Sequence, residues 1–304
     1  MIEGTAESLL ERFYRSWVKP GDCAIDIGAH TGRHTIPLAE AVGQGGKVFA
    51  FEPLPVIFEQ LRARVSRAGW AGVVELKRAA VAVEPGVATF VVAVDRPEES
   101  GLRERAFYNG DTRIERISVD VIVLDGFVPG DVDVRFVKID VEGAEFGVFR
   151  GAERLIRRCG PAIGFEFGAQ AAAAFDTSPD DVFDWLQAMG YAIFDLRGHR
   201  HVRESFADRC GTAMIWDYVA IPDGAPAIAG ERMLRDHYRS SIAGAPRDDR
   251  SDDEYVRDCY RELLGREADA GGLGYYAGLL AKHGWTRAEV AAALRNSDEY
   301  RQRR

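Results

Sequence analysis

Ile25-Asp-Ile-Gly-Ala-His-Thr-Gly32 is the stretch on which the fold turns. Cys23–Ile27 reads as a short buried strand, Gly28 and Gly32 mark a tight turn, and Gly32–Val42 has helical spacing. The same strand–turn–helix order runs outward from it. Lys47–Phe51 is a second strand, Pro55–Ala68 a helix and Val73–Leu76 a third strand. Further strands are expected at Val87–Val94, Ile117–Leu124, Arg135–Ile139, Ala162–Phe167, Ala192–Leu196 and Thr212–Ile221, with helices at Glu145–Arg158 and Asp180–Met189. Alternating strands and helices predict a parallel, doubly wound α/β sheet. Residues 5–18 carry Leu9, Leu10, Phe13, Tyr14 and Trp17 on one helical face and end at Lys19-Pro-Gly-Asp22. That helix can pack on its own sheet or on a second copy, which leaves a homodimer open. The polar interval Asp95–Ile114 is long for a plain connection and is expected to be a functional loop or lid.

The glycine turn admits two chemistries. A dinucleotide fingerprint needs glycine two and five positions after the first, and those places hold His30 and Arg33. Asp26, Gly28 and Gly32 instead match the (Asp/Glu)-x-Gly-x-x-x-Gly loop that binds S-adenosylmethionine. That cofactor has no phosphate for Asp26 to repel, and its ammonium is a group a carboxylate can meet. The loop Gly28-Ala29-His30-Thr31-Gly32 is therefore the expected cofactor cradle. Phe51-Glu52-Pro53 ends the second strand 24 positions after Gly28. An acid near that distance can hold ribose hydroxyls.

The other informative stretch is Phe136-Val-Lys-Ile-Asp-Val-Glu-Gly-Ala-Glu145, a β-forming run that breaks out into charge. Ligands of open α/β sheets sit at the carboxyl ends of strands. Transfer of a group to a weakly nucleophilic acceptor needs alignment and a base. Asp140 is the first candidate for the base or for holding the acceptor, and Glu142 the second. Lys138 is expected to face one of these carboxylates and keep it ionised. His30 could reach the cofactor or the acceptor, and Glu166 could form an acceptor wall. His34, His199 and His201 are further base candidates. Glu145 suits the start of the following helix by its charge. Asp140, Glu142 and Glu145 offer oxygen ligands of the kind Mg²⁺ takes, but with no diagnostic spacing, so no metal site is assigned.

A net charge of −9 argues against non-specific nucleic-acid binding. The four cysteines are widely spaced, which suits reduced thiols. Neither a signal peptide nor an apolar run of about 18 residues is visible, so a cytoplasmic protein without a membrane span is expected. Pro222–Gly230 and Gly244–Asp253 read as linker around a short helix, Glu231–Ile242. Beyond Ser251 the chain is helical, with capping boxes at Ser251/Glu254 and Thr286/Glu289. The expected organisation is 1–222 as the sheet domain (1–20 its N-terminal helix), 223–250 as linker and 251–304 as a small helical domain.

In order and spacing, Lys19–Gly32, Phe51-Glu-Pro53, Val137–Glu145 and Val148-Phe-Arg-Gly-Ala152 resemble the FkbM family of methyltransferases, over roughly residues 16 to 222. The resemblance implies a class I, Rossmann-like fold of seven strands with the last antiparallel. It also implies an S-adenosylmethionine-dependent O-methyltransferase acting on a sugar, a glycan or a related secondary metabolite. Tyr260-Arg-Glu-Leu-Leu-Gly-Arg-Glu-Ala-Asp269 resembles a phycobilisome-linker-like helical domain of unknown function (4214), which implies a protein or glycan partner for the tail. The competing reading keeps the sheet as a catalytically silent scaffold and makes the tail the working part. Binding of S-adenosylmethionine separates the two.

Overall fold

A strand is buried at every position only when both faces of its sheet are covered, and β1 (Cys23–Ile27) is such a strand. The computed structural model describes residues 6–104, 112–211, 216–241, 250–282, 285 and 287–296. The other strands are β2 (Lys47–Phe51), β3 (Val74–Lys77), β4 (Ala80–Val81), β5 (Gly86–Ala93), β6 (Ile114–Ile122), β7 (Val134–Ile139), β8 (Ala162–Glu166), β9 (Tyr191–Asp195) and β10 (Asp217–Pro222). Seven of them form one sheet in the order β3-β2-β1-β7-β8-β10-β9. β10, the last in the chain, runs antiparallel to both neighbours, while the remaining pairings are parallel. This is the class I methyltransferase arrangement. The chain order reverses between β1 and β7, so the crevice at their carboxyl ends is the switch point at which such sheets bind ligands.

Helices cover both faces. α1 (Ala6–Trp17), α2 (Thr35–Val42), α3 (Pro55–Arg67) and α10 (Ala225–Ser241) bury apolar side chains against one. The other is covered by α4 (Leu124–Phe127), α5 (Glu145–Gly151), α6 (Glu153–Cys159), α7 (Ala169–Ala173), α8 (Pro179–Ala188) and α9 (Arg203–Gly211). α1 packs Leu9, Leu10, Phe13, Tyr14 and Trp17 onto its own sheet.

Three expectations need correction. Val87–Val94 and Ile117–Leu124 do contain strands, but β5 and β6 pair with each other, and β6 with β4, in a separate three-stranded sheet. The single helix expected over Glu145–Arg158 is two, α5 and α6, broken at Ala152. The linker expected over 223–250 is helical from Ala225 to Ser241, and Ala227 and Leu234 of that helix join the sheet's core. Its opening Ala-Pro-Ala places proline in the first turn, where no intrahelical N–H is lost.

The chain divides into a unit running to Ser241, without Gly211–Ile215, and a second comprising Gly211–Ile215 and Ile242–Arg304. The second contains α11 (Asp252–Cys259), a π-helical turn at Tyr260–Leu264, α12 (Ala270–Lys282) and α13 (Arg287–Asn296). The Ser251 Oγ accepts from the Glu254 N–H, and the Glu254 carboxylate accepts from the Ser251 N–H at 2.7 Å. Val256, Leu264, Leu279, Trp285, Val290 and Leu294 form a core of its own. Thr286, of the second expected cap, and Thr212, where the last strand was expected to open, lie outside the described residues. No helix among the described residues is long and apolar enough to cross a membrane.

Candidate active site

The chain turns at the end of β1 in a conformation that only glycine tolerates there. Gly28 has φ +75°, and a Cβ on it would lie 1.8 Å from the carbonyl oxygen of Asp140. The close approach is fixed by backbone bonds. The Asp140 N–H donates to Ile27 O at 3.1 Å, and the N–H groups of Gly28 and Ala29 donate to Phe51 O at 3.1 and 2.9 Å. His30 follows with φ +46°. Its N–H donates to Glu52 Oε2 at 2.9 Å, while the other oxygen of Glu52 accepts from the Leu54 N–H at 2.8 Å. Glu52 thus ties the glycine turn to the end of β2. Burial pushes its carboxyl up to about 7, against the pull of those two amides.

Above these strand ends lies a cavity of about 320 Å³, within the range of small-ligand pockets. Gly28, Ala29, His30, Glu52 and Pro53 line one part of it, with an apolar wall of Leu54, Ala79, Ala80, Val81 and Phe90. Lys138, Asp140, Glu142, Glu166 and Asp217 line the part over β7, β8 and β10. Pro97, Glu98, Ser100 and Leu102 line it too. That segment is the first part of the interval expected to be a lid. It is fastened to β5, since Val91 and Gly101 exchange N–H···O bonds at 2.8 and 3.0 Å, and Ser100 Oγ accepts from the Ala93 N–H. Residues 105–111 lie outside the described residues.

Lys138 organises the charge. It is 6 % exposed, and its Nζ donates to Asp140 Oδ2 at 3.0 Å and to Gly28 O at 3.2 Å. Asp26 Oδ1 lies 3.9 Å from it. Burial alone would lower the lysine, but Asp140 and Asp26 outweigh burial and hold it above its usual value. Of Asp140 and Glu142, one of which was expected to face Lys138, Asp140 does; the second carboxylate beside the lysine is Asp26, not Glu142.

Asp26, Thr31 and Gly32 are not where the cradle reading put them. Asp26 has no exposed surface; its Oδ2 accepts from Thr35 Oγ1 at 2.6 Å. It sits beneath the cavity and reaches the site only through Lys138, so it cannot meet a ligand ammonium. Thr31 faces a shallow surface depression beside α3, and Gly32 packs near Leu61. Neither lines the cavity. Glu145 is also withdrawn: its Oε1 accepts from the N–H groups of Gly143 at 3.0 Å and Val141 at 3.3 Å. It holds the loop that shapes Glu142, whose φ is +59°. This removes it from the Mg²⁺ ligand set considered for Asp140, Glu142 and Glu145. No group of three His, Cys, Asp or Glu among the described residues is arranged to hold a metal.

His30 lines the cavity with its Nε2 buried and without a hydrogen-bond partner among the described residues. Burial lowers its basicity. His34 also borders the cavity, hydrogen-bonded to Tyr14 at 3.2 Å, and burial pushes it down to about 2. His34 is therefore a neutral ring at pH 7, and burial favours the neutral form of His30. His201 is buried against Phe206 and Tyr218, and neither it nor His199 reaches the cavity. Sequence reasoning missed Asp217 and the wall of Ala79, Ala80, Val81 and Phe90. Ala80, Val81 and Phe90 of that wall belong to the small sheet, whose pairing no local pattern announces.

The sequence model of the methyltransferase FkbM domain matches residues 26–193, more than half of the 304-residue chain. The chain belongs to the FkbM methyltransferase family. The 31-O-demethyl-FK506 methyltransferase FkbM of Streptomyces tacrolimicus is 31% identical over 199 residues, covering 60% of this chain and 73% of that protein. A protein-L-isoaspartate O-methyltransferase of Aeropyrum pernix is 40% identical over 58 residues, 19% of this chain; the chain spans only 22% of that relative. Among solved structures, an FkbM methyltransferase of Methylobacillus flagellatus KT superposes with a TM-score of 0.41 at 16% identity, covering 70% of this chain and 51% of that one. Residues 243–303 match a second model, the domain of unknown function DUF4214.

Proposed function

We propose that this FkbM-family chain is an S-adenosylmethionine-dependent O-methyltransferase whose acceptor is a hydroxyl of a sugar, a glycan or a related secondary metabolite. The observation that carries the reading is the charge of the cavity at the β1/β7 switch point. Glu52, Glu98, Asp140, Glu142, Glu166 and Asp217 line it, against Lys138 and Arg33. Arg33 is already paired with Glu11 and Glu7, and Lys138 with Asp140. With both cations already paired, a pyrophosphate finds no free positive charge among the described lining residues, whereas a sulfonium-bearing nucleoside can be met by carboxylate oxygens. The residues present fit such a ligand. Glu52 supplies a carboxylate at the ribose position, Gly28 lets the chain pass close, and the apolar wall beside Glu52 suits a base ring.

The bound cofactor supplies the electrophilic methyl group. The chain does the rest. Lys138 holds Asp140 at the boundary between the two parts of the cavity, so that its carboxylate meets a ligand in one orientation. His30 offers a ring nitrogen to a polar ligand group. The fastened segment Pro97–Leu102 excludes water from one side. An oxygen acceptor is favoured by the relative named for 31-O-demethyl-FK506, and the tail, which has a core of its own, is read as binding a protein or glycan partner.

Labelled-methyl transfer tests this reading with panels of free sugars, glycans and polyhydroxylated macrocycles. The expected product is an O-methyl ether. Label found only on nitrogen or carbon, or no transfer by a folded chain that binds the cofactor, would contradict it.

A further inference from the structure

On the sheet face that carries Lys138, the strand ends set out a row of carboxylates. Lys138 is the register partner of Asp26 on one side and of Gly164 on the other, and Gly164 pairs with Val219. Side chains two residues apart share a face. Asp140, Glu166 and Asp217 therefore project from the same face on the successive strands β7, β8 and β10. Antiparallel β10 brings its first residue to the edge where the parallel strands end, so Asp217 stands directly opposite Glu166. Opposed residues in such a ladder have Cβ atoms about 4.5–5.5 Å apart.

The three carboxylates differ in their partners. Asp140 has Lys138 at 3.0 Å. Glu166 and Asp217 line the same cavity, and neither side chain makes a hydrogen bond or ion pair with a described residue. They also lie away from the glycine turn and Glu52, one and two strand spacings of about 4.8 Å beyond β7. That is the acceptor side of the cavity.

Resting on the methyltransferase reading above, we propose that Glu166 and Asp217 form a carboxyl–carboxylate pair that shares one proton and serves as the general base, in place of Asp140. Two facing carboxylates resist ionising together. Burial, then the facing Asp140, Asp217, Glu142 and Glu145, drive Glu166 well above the usual range. Burial and Asp140, with Glu7 of α1 adding, push Asp217 up to about 7, while Lys138 opposes. Asp140 is the poorer candidate because its Oδ2 is already engaged by the Lys138 Nζ at 3.0 Å. In the transfer, the acceptor oxygen bonds to the methyl carbon as the carbon–sulfur bond breaks, and sulfur keeps that electron pair. The hydroxyl proton passes to the ionised member of the pair, which is left neutral until solvent removes the proton.

The test uses the full chain and the variants Glu166→Gln, Asp217→Asn and Asp140→Asn. Wild-type-minus-variant infrared difference spectra at pH 7 should show a protonated carboxyl band, over those of Glu52 and Glu145, that Glu166→Gln and Asp217→Asn each remove and Asp140→Asn keeps. Calorimetric titration should leave the S-adenosylmethionine Kd of both pair variants within threefold of wild type. With methyl α-D-glucopyranoside as the probe acceptor, turnover at pH 7 should fall at least 100-fold in each. Absence of the band from the wild type, wild-type turnover in either pair variant, or a 30-fold loss of cofactor affinity in both would overturn the assignment. A wild type that shows the band but binds no cofactor would instead sink the methyltransferase reading. If the probe is not turned over, the infrared and calorimetric arms still decide.

Discussion

Lys138 is one buried cation between two carboxylates, and its removal leaves charge with nothing to oppose it. Lys138→Met should destabilise the chain by about 3–5 kcal/mol at pH 7, the usual cost of breaking a buried pair from one side. The loss should shrink towards pH 4 as Asp26, whose carboxyl burial raises, takes up a proton. Chemical denaturation at the two pH values checks this; an equal loss at both would place the lysine's contribution in packing alone. The charged end of Phe136–Glu145 was legible in the sequence, because a β-forming run that stops at Asp140 and Glu142 has few reasons to collect carboxylates away from a ligand. The roles within it were not. Asp26 looked like a ligand to the cofactor because its spacing from Gly28 is right, but register puts it beside Lys138, below the cavity. Asp217 was invisible for a different reason. A residue at the start of a strand joins the carboxyl edge only if that strand is antiparallel, and direction is a property of the assembled sheet.

At the scale of elements, α10 shows how composition misleads. Pro222–Gly230 is rich in proline, glycine and alanine, which reads as linker, yet alanine favours helix and proline is at ease in a first turn. Packing decides the outcome: Leu234 is 1 % exposed within the same core as α1. Leu234→Ala should cost about 2–5 kcal/mol, as for other fully buried leucines, and a thermal melt should show the loss in the sheet unit. No change would return this segment to the status of a linker. The small sheet β4-β6-β5 was half legible. Its two long strands have the right residue types, but membership in one sheet or another depends on pairing between distant segments.

For the whole molecule, buried and half-buried carboxylates set the dependence of stability on pH. Glu52, Glu145 and Asp217 are each pushed up to about 7, chiefly by burial. An acid raised on folding binds more protons in the folded state than in the unfolded one. Its contribution is present below the usual carboxylate range and is lost as pH rises through about 7, at roughly 1.4 kcal/mol for each tenfold gain in proton affinity on folding. The denaturation midpoint of the free chain should therefore fall between pH 5 and pH 8. Glu145→Gln, which keeps an oxygen for the amides of Val141 and Gly143, should flatten that fall. A midpoint that rises over this interval would contradict the burial of these groups. The doubly wound architecture itself was legible throughout, because alternating strand and helix periods need no long-range information. Glu52 also lines the cavity proposed for the cofactor, so cofactor binding tests fold and function together. Calorimetric titration of the folded chain with S-adenosylmethionine should show saturable one-to-one binding that Glu52→Ala weakens at least tenfold. A folded chain that takes up no S-adenosylmethionine at millimolar concentration would contradict the account.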